Sequence, residues 1–466
     1  MATQAEIVKV LYQKLCRGHS WDDFCFYMKG RVSKRAAQNV LSDLRPPNYE
    51  LRPMGVASRM AATFLFAEIT ELMLEYHRTH LVTPTAKLMI KLWWDERRIK
   101  GALQTVGGLS PLWPRVPKHN SWIHFLPIFM LGKGSKDAIW DTLEDCGLHQ
   151  ALREYHNRDV EVANYPASRV SFHVVLDWMC FYELSQDCHS PNSTVMHQRL
   201  CPCCIFDVGD KLGGWLRDPF YRHKRLTSRK RALRIPGLDL QGCLYDPMHG
   251  LARLLANVIS AILSLLKCLA LTQELRMLGD AVAWMTEKSG QCNVTEAKQF
   301  LSDLQPWLSW IEQIPLDTRG LTVLMPQKDG SQSQTTFEEY LRNAVTSVAV
   351  FRKVIYSSVI LQEDFEALTE ARDYLCSTLA MTSSQMNPAL HYMLNHFEED
   401  LCNMLPVVPR DWICEGEEAA NAHHRKMSNA TVSGALADQT EMSLTEMMLS
   451  HAIDLHFLRL VDPDLK

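Results

Sequence analysis

Between residues 86 and 178 the chain follows an order that few folds accommodate: three strand-like apolar runs, one amphipathic helix, then a fourth apolar run. The three runs lie in "AKLMIKLWWD", "GALQTVGGLSPLW" and "SWIHFLPIFML", and the helix starts at Ser135 in "SKDAIWDTLEDCGLHQALREYH". The fourth run, "RVSFHVVLDW" at 169–178, is apolar almost throughout, as a strand buried on both faces must be. Asp95 closes the first strand and Asp177 the fourth. Either acid alone reads as a strand-end solubiliser. If the first and fourth strands lie side by side, the two meet despite their separation in sequence.

That strand order is the one that builds a ribonuclease-H-like sheet. The fold class expected is therefore α+β: a mixed sheet core, interrupted by a large helical insertion and preceded by a helical N-terminal region. At 466 residues the chain has enough length for two or three domains' worth of core. The four segments expected are 1–85, helical, for DNA binding or dimerisation; 86–200, the first part of the core; 201–400, the insertion; and 401–466, helices completing the core. "RPPNYELRP", 45–53, reads as a loop. From about 240 to 400 the apolar period is helical almost throughout, beginning with "LYDPMHGLARLLANVISAILSLLKCLAL".

Composition excludes several classes. The N-terminus, "MATQAEIVKVLYQKL", has no secretory pattern. The most apolar stretch, "LLANVISAILSLL" at 254–266, is too short to span a bilayer, so no membrane partner is expected. Fourteen scattered cysteines fit reduced thiols rather than a disulfide framework. The net charge of −4 does not mark a nucleic-acid binder, but residues 211–234 carry nine Lys or Arg against one Asp, with Trp215, Phe220 and Tyr221 interleaved. A solvated basic face would look the same. The density points to phosphate contacts by Arg222, Lys224, Arg225, Arg229, Lys230 and Arg231.

Two constellations carry chemistry. Cys201 and Cys204, in "CPCC", have zinc-knuckle spacing, and "LHYMLNHF" offers His391 and His396 as an H-x₄-H pair. Separately, each pair reads as buried thiols or surface imidazoles; together they would close one tetrahedral site across the insertion. The second constellation is acidic. Asp95 and Asp177, with a glutamate from "ICEGEEAANAHHRK" at 413–426, would form a hard-oxygen cage for two Mg²⁺ or Mn²⁺ ions. Glu415 and Glu418 share a helix face, so spacing does not choose between them.

The order of acid, acid, C-x-x-C, a helix announced by "D-x-x-H", H-x₄-H and then "EGxE" with a basic run resembles the catalytic core of the V(D)J recombinase large subunit and the Transib transposases. The resemblance covers roughly 85–466 and is most specific in "CPCC", "LYDPMHGLARLLANV", "HYMLNH" and "CEGEEAAN". It implies that Asp177 and Glu418 are the second and third catalytic acids, with Glu415 a neighbour on the same helix. Asp95 takes the first place, although Glu96 follows it where relatives often have Gly. It further implies Cys201, Cys204, His391 and His396 as ligands of one structural zinc, and His249 as an active-site neighbour. Arg425 and Lys426 would lie along the DNA. The activity implied is metal-dependent nicking and strand transfer at the ends of a DNA element. Double-stranded DNA, both ends and target, would be the substrate. A homodimer, an accessory protein and a nuclear location would follow from the same likeness. A nuclease limited to strand cleavage, or a transposon-derived DNA-binding protein without catalysis, are the alternatives.

Overall fold

The computed structural model describes short stretches between residues 39 and 63, then 87–99, 102–115, 124–131, 138–145, 148–160, 168–226, 233–235, 238, 242–281, 294–382, 385–422 and 441–461. The chain divides into two compact units: Met1–Leu176 with Arg234–Cys243 and Cys414–Lys466, and Asp177–Leu233 with Leu244–Ile413. The second unit thus begins at Asp177 and ends at Ile413, wider at both ends than the 201–400 insertion expected from sequence.

The first unit is built on a mixed sheet. Its strands are β1 (Glu50–Pro53), β2 (Arg59–Thr63), β3 (Lys87–Ile99), β4 (Ala102–Trp113), β5 (Leu126–Leu131), β6 (Arg158–Val160) and β7 (Ser168–Leu176), and they are ordered β1-β2-β5-β4-β3-β7-β6. The expected neighbours are neighbours: β3 pairs with β7 in parallel, from Lys87↔Arg169 to Leu92↔Val174. Every other pairing along this path is antiparallel. Because β3 is flanked on both sides and covered on both faces, Leu88 to Trp94 are all buried, which explains the unbroken apolar run.

Three expectations are corrected here. Residues 50–53 and 59–63 are strands where a loop and helix were expected. The signal was weak because β1 is only four residues long, ends on Pro53 and follows Pro46 and Pro47. Strand β3 does not end at Asp95 but continues to Ile99, paired with β4 as far as Ala102. The helix expected from Ser135 is two helices, Ala138–Asp145 and Leu148–Tyr155.

Strand β4 lets aromatic rings press onto its backbone. A Cβ on Gly107 would stand 2.0 Å from the Phe129 ring, so the adjacent strand β5 can pack there only against glycine. The helix Glu441–Val461 packs against β1, β2 and β5, and Arg45 Nε donates to Asp454 on it at 2.8 Å.

The second unit is mostly helical. Its central helix, Pro247–Cys268, opens on an Asp246 cap that accepts from Met248 N, with Pro247 in the first turn. At 22 residues it is longer than its most apolar stretch, and by length and composition it could cross a membrane. Twelve of its residues are buried, and helices Phe337–Tyr356, Gln362–Met381 and Pro388–Asn395 pack on it. That packing covers the apolar face of the helix, while Arg253, Asn257, Ser260, Ser264 and Lys267 recur along its other side. Gly250 allows the closest approach, since a Cβ there would lie 2.3 Å from Met393 Sδ. Among the described residues a hairpin of Thr322–Pro326 with Gln332–Thr336 interrupts these helices.

Candidate metal centre and acidic strand

Cys201, Cys204, His391 and His396 come together in the second unit, their ligand atoms all within 4.8 Å of one another and every residue buried. Backbone geometry explains how each pair converges. An isolated bridge between Arg199 and Asp207 closes the loop that carries the cysteines. Within it Cys203 N donates to Cys201 Sγ at 3.3 Å and Phe206 N to Cys204 Sγ at 3.4 Å, contacts that favour thiolate. On the histidine side, positions five apart in one helix point about 140° apart. The chain avoids this by ending the Pro388–Asn395 helix at His396, whose φ of −122° turns it into the next helix, Phe397–Met404. The two imidazole centroids are then 5.2 Å apart.

The chemistry of the group suits a cation. Burial pushes the Cys201 thiol well above its ordinary range and the His391 imidazole well below it. A divalent ion would supply the positive charge that makes buried thiolates tolerable, and two sulfurs with two nitrogens are a common zinc donor set. His391 Nε2 faces Cys204 Sγ at 3.1 Å, while its Nδ1 lies 3.2 Å from Asn395 Nδ2. Phe206 stacks on the His391 ring at 4.0 Å.

Of the basic residues expected to meet DNA, two face acids. The Arg225 side chain is 8% exposed and pairs with Asp400 and, at 3.2 Å, with Glu399. Burial lifts the Asp400 carboxyl to about 6, against the pull of Arg225. Arg222 pairs with Glu398 at 2.7 Å yet is exposed, as is Lys224. A cleft of about 450 Å³ is lined by Arg222, Lys224, Arg225, Glu398 and Glu399 among others. Arg229, Lys230, Arg231, Arg425 and Lys426 lie outside the described residues. His249 Nε2 is 3.8 Å from Asp246 Oδ2 in the first turn of the central helix.

The acids of the first unit are positioned by strand and helix. On β3, residues two apart share a face, so Lys91, Trp93 and Asp95 point the same way. Lys91 lies opposite Ser110 on β4, and both reach Glu417: Lys91 Nζ at 2.6 Å, with both side chains buried, and Ser110 through a hydroxyl donated to the carboxylate. Glu417 belongs to the helix at 415–422, which begins after Cys414 with Glu418 N donating to Cys414 O. Asn421, one turn after Glu418, donates from Nδ2 to Asp95 Oδ2 at 2.8 Å. Glu415 and Glu418 are half-buried, as are Asp95 and Glu96.

Asp177 follows directly on β7. Its Oδ1 accepts from Cys180 N at 2.9 Å, capping the helix Trp178–Phe181. Counted along each strand, Asp95 and Asp177 both stand three residues past the last parallel couple, Leu92↔Val174. Sequence reasoning missed Lys91, Ser110, Asn395 and Asn421. The signals present were a lone lysine inside "MIKLWW" and an amide three residues after Glu418 in "EEAAN".

No protein-family model matches the chain, and no curated protein matches it.

Proposed function

We propose that this chain is a DDE-type DNA transposase or recombinase, similar to the Transib transposases and the V(D)J recombinase large subunit. It would nick one strand at an element end and use the freed 3′-hydroxyl to attack another phosphodiester. What carries the reading is Asn421 holding Asp95 one turn from Glu418, on a strand whose parallel neighbour runs directly into Asp177. Asp95, Asp177 and Glu418 are the proposed ligands of two Mg²⁺ or Mn²⁺ ions, which would acidify a bound water and steady the leaving oxygen.

The residues divide the remaining work. In the nicking step the water oxygen bonds to phosphorus, the 3′ oxygen departs, and that oxygen takes up a proton to become the hydroxyl used next. Asn421 fixes Oδ2 of Asp95 on its strand, and Cys180 N holds Oδ1 of Asp177 at the head of its helix. Glu417, turned to Lys91 and Ser110, sets the helix in place rather than binding metal.

The Cys201, Cys204, His391 and His396 group is proposed to hold one structural zinc. It joins residues near the two ends of the second unit, 187 residues apart for Cys204 and His391. Lys224, Arg229, Lys230 and Arg231 are proposed to meet the phosphate backbone, without reading sequence. The test is a supercoiled plasmid incubated with purified protein and Mn²⁺. Metal-dependent conversion to the nicked circle is expected; no nicking with Mn²⁺ or Mg²⁺, on plasmid or on cognate ends once found, would contradict the reading.

A further inference from the structure

We infer that Tyr392 is a positioning residue for Asp177, holding the turn that the Asp177 carboxylate caps; this rests on the reading of Asp177 as a metal ligand. The helix Trp178–Phe181 has only four residues, and a single turn fixes several dihedrals for little hydrogen bonding in return. Packing from outside must therefore hold it. Asp177 is tied to the turn by the bond from Cys180 N at 2.9 Å, so whatever holds the turn also holds the carboxylate.

What holds it is a cluster of four buried rings. Trp178 and Phe181 come from the turn, Tyr245 from the strand Cys243–Tyr245, and Tyr392 from the helix Pro388–Asn395. Each ring meets the other three. The Tyr392 centroid lies 5.3 Å from that of Tyr245, 5.5 Å from Phe181 and 6.2 Å from Trp178, edge to face in each case. Tyr245 lies 5.3 Å from Trp178 and 6.0 Å from Phe181, and those two are 5.6 Å apart. All these separations fall where aromatic pairs attract. Tyr392 is also fastened by hydrogen bonds. Its hydroxyl accepts from Tyr245 N at 3.3 Å and donates to Asp400, which is paired with Arg225. Burial, then the carboxylates of Asp246 and Asp177, push the Tyr245 phenol up, which places the Asp177 charge beside the cluster. The Tyr392 ring therefore ties the turn under Asp177 to the helix that carries His391.

Three variants separate positioning from mere packing. Mn²⁺ binding to the full-length chain is titrated without DNA, by the spin-resonance signal of free Mn²⁺, and zinc content is measured in the same samples. Tyr392→Phe keeps all four rings and should bind Mn²⁺ within a few-fold of the parent. Tyr392→Leu removes one ring, and Phe181→Leu removes another, from the turn itself. Loss of a group that orients a metal ligand weakens binding about 10–100-fold. Both Leu variants should fall in that range at unchanged zinc content, and Phe181→Leu decides if Tyr392→Leu does not fold. Unchanged Mn²⁺ affinity in a folded Leu variant, an equal loss in Tyr392→Phe, or zinc lost in step with Mn²⁺ would overturn the assignment. A parent that binds no Mn²⁺ would overturn the metal-ligand reading itself, and the inference with it.

Discussion

Asn421 Nδ2 and Asp95 Oδ2 are 2.8 Å apart across 326 residues of chain. Four residues before each, Glu417 and Lys91 are joined at 2.6 Å. The 415–422 helix is therefore fastened to β3 at two points, one buried ion pair and one amide–carboxylate contact. The face that carries Glu418 and Asn421 is set by those points.

The ion pair gives the first prediction. Removing one partner of a buried pair strands the other charge and typically costs about 3–5 kcal/mol. Lys91→Met and Glu417→Gln should each shift the urea midpoint downwards by that order, and Lys91→Met with Glu417→Met should cost far less than their sum. Single variants that unfold with the parent would show that the pair does not fasten the helix.

A pH dependence follows from His173, the residue beside Lys91 on β7. Burial, then His156 and Lys87, push its pKa down to about 3. The folded protein thus keeps this ring neutral while the unfolded chain binds a proton below its ordinary value of about 6.5. Its contribution is fully present above pH 6.5 and is lost as pH falls from there towards 3. His173→Gln should flatten the acid limb of the stability profile, read as urea midpoint at pH 7, 5.5 and 4.5. An unchanged slope would remove His173 from the account.

How much of this was legible differs element by element. The pairing of β3 with β7 could be read because two long apolar runs and one helix leave few arrangements, and because the sheet buries both. Spacing marks each Cys and His pair, but joining them into one group takes their placement about the helical stretch and the family likeness. The partner of Lys91 could not be read. A lysine in an apolar strand announces a buried counter-charge, but three glutamates in 415–418 could supply it, and only packing selects Glu417. Likewise Arg225 reads as a surface cation until Asp400, 175 residues away, folds against it.

Metal removal supplies the next prediction. Purified protein should contain about one zinc per chain, and a strong chelator should lower the melting temperature, with zinc restoring it. His396→Ala should release the metal and melt with the stripped parent. A variant that retains full zinc would exclude His396 from the ligand set.

Within the basic segment, Lys224 and Arg225 should behave differently. Lys224→Gln should weaken binding to every duplex and reduce the slope of log affinity against log salt by about 1, the signature of one lost phosphate contact. Arg225→Gln should instead destabilise the protein by leaving Asp400 buried and unpaired. Loss of binding by Lys224→Gln on one sequence only would make it a base reader.

The central claim is that Glu418 holds the metal that cuts DNA, and Glu418→Gln tests it most directly. The substitution preserves shape and a hydrogen-bonding oxygen while removing the charge that retains a cation. On supercoiled plasmid with Mn²⁺, the parent should produce nicked circles and Glu418→Gln none, with duplex affinity in chelator unchanged. A Glu418→Gln protein that nicks as fast as the parent would contradict the account.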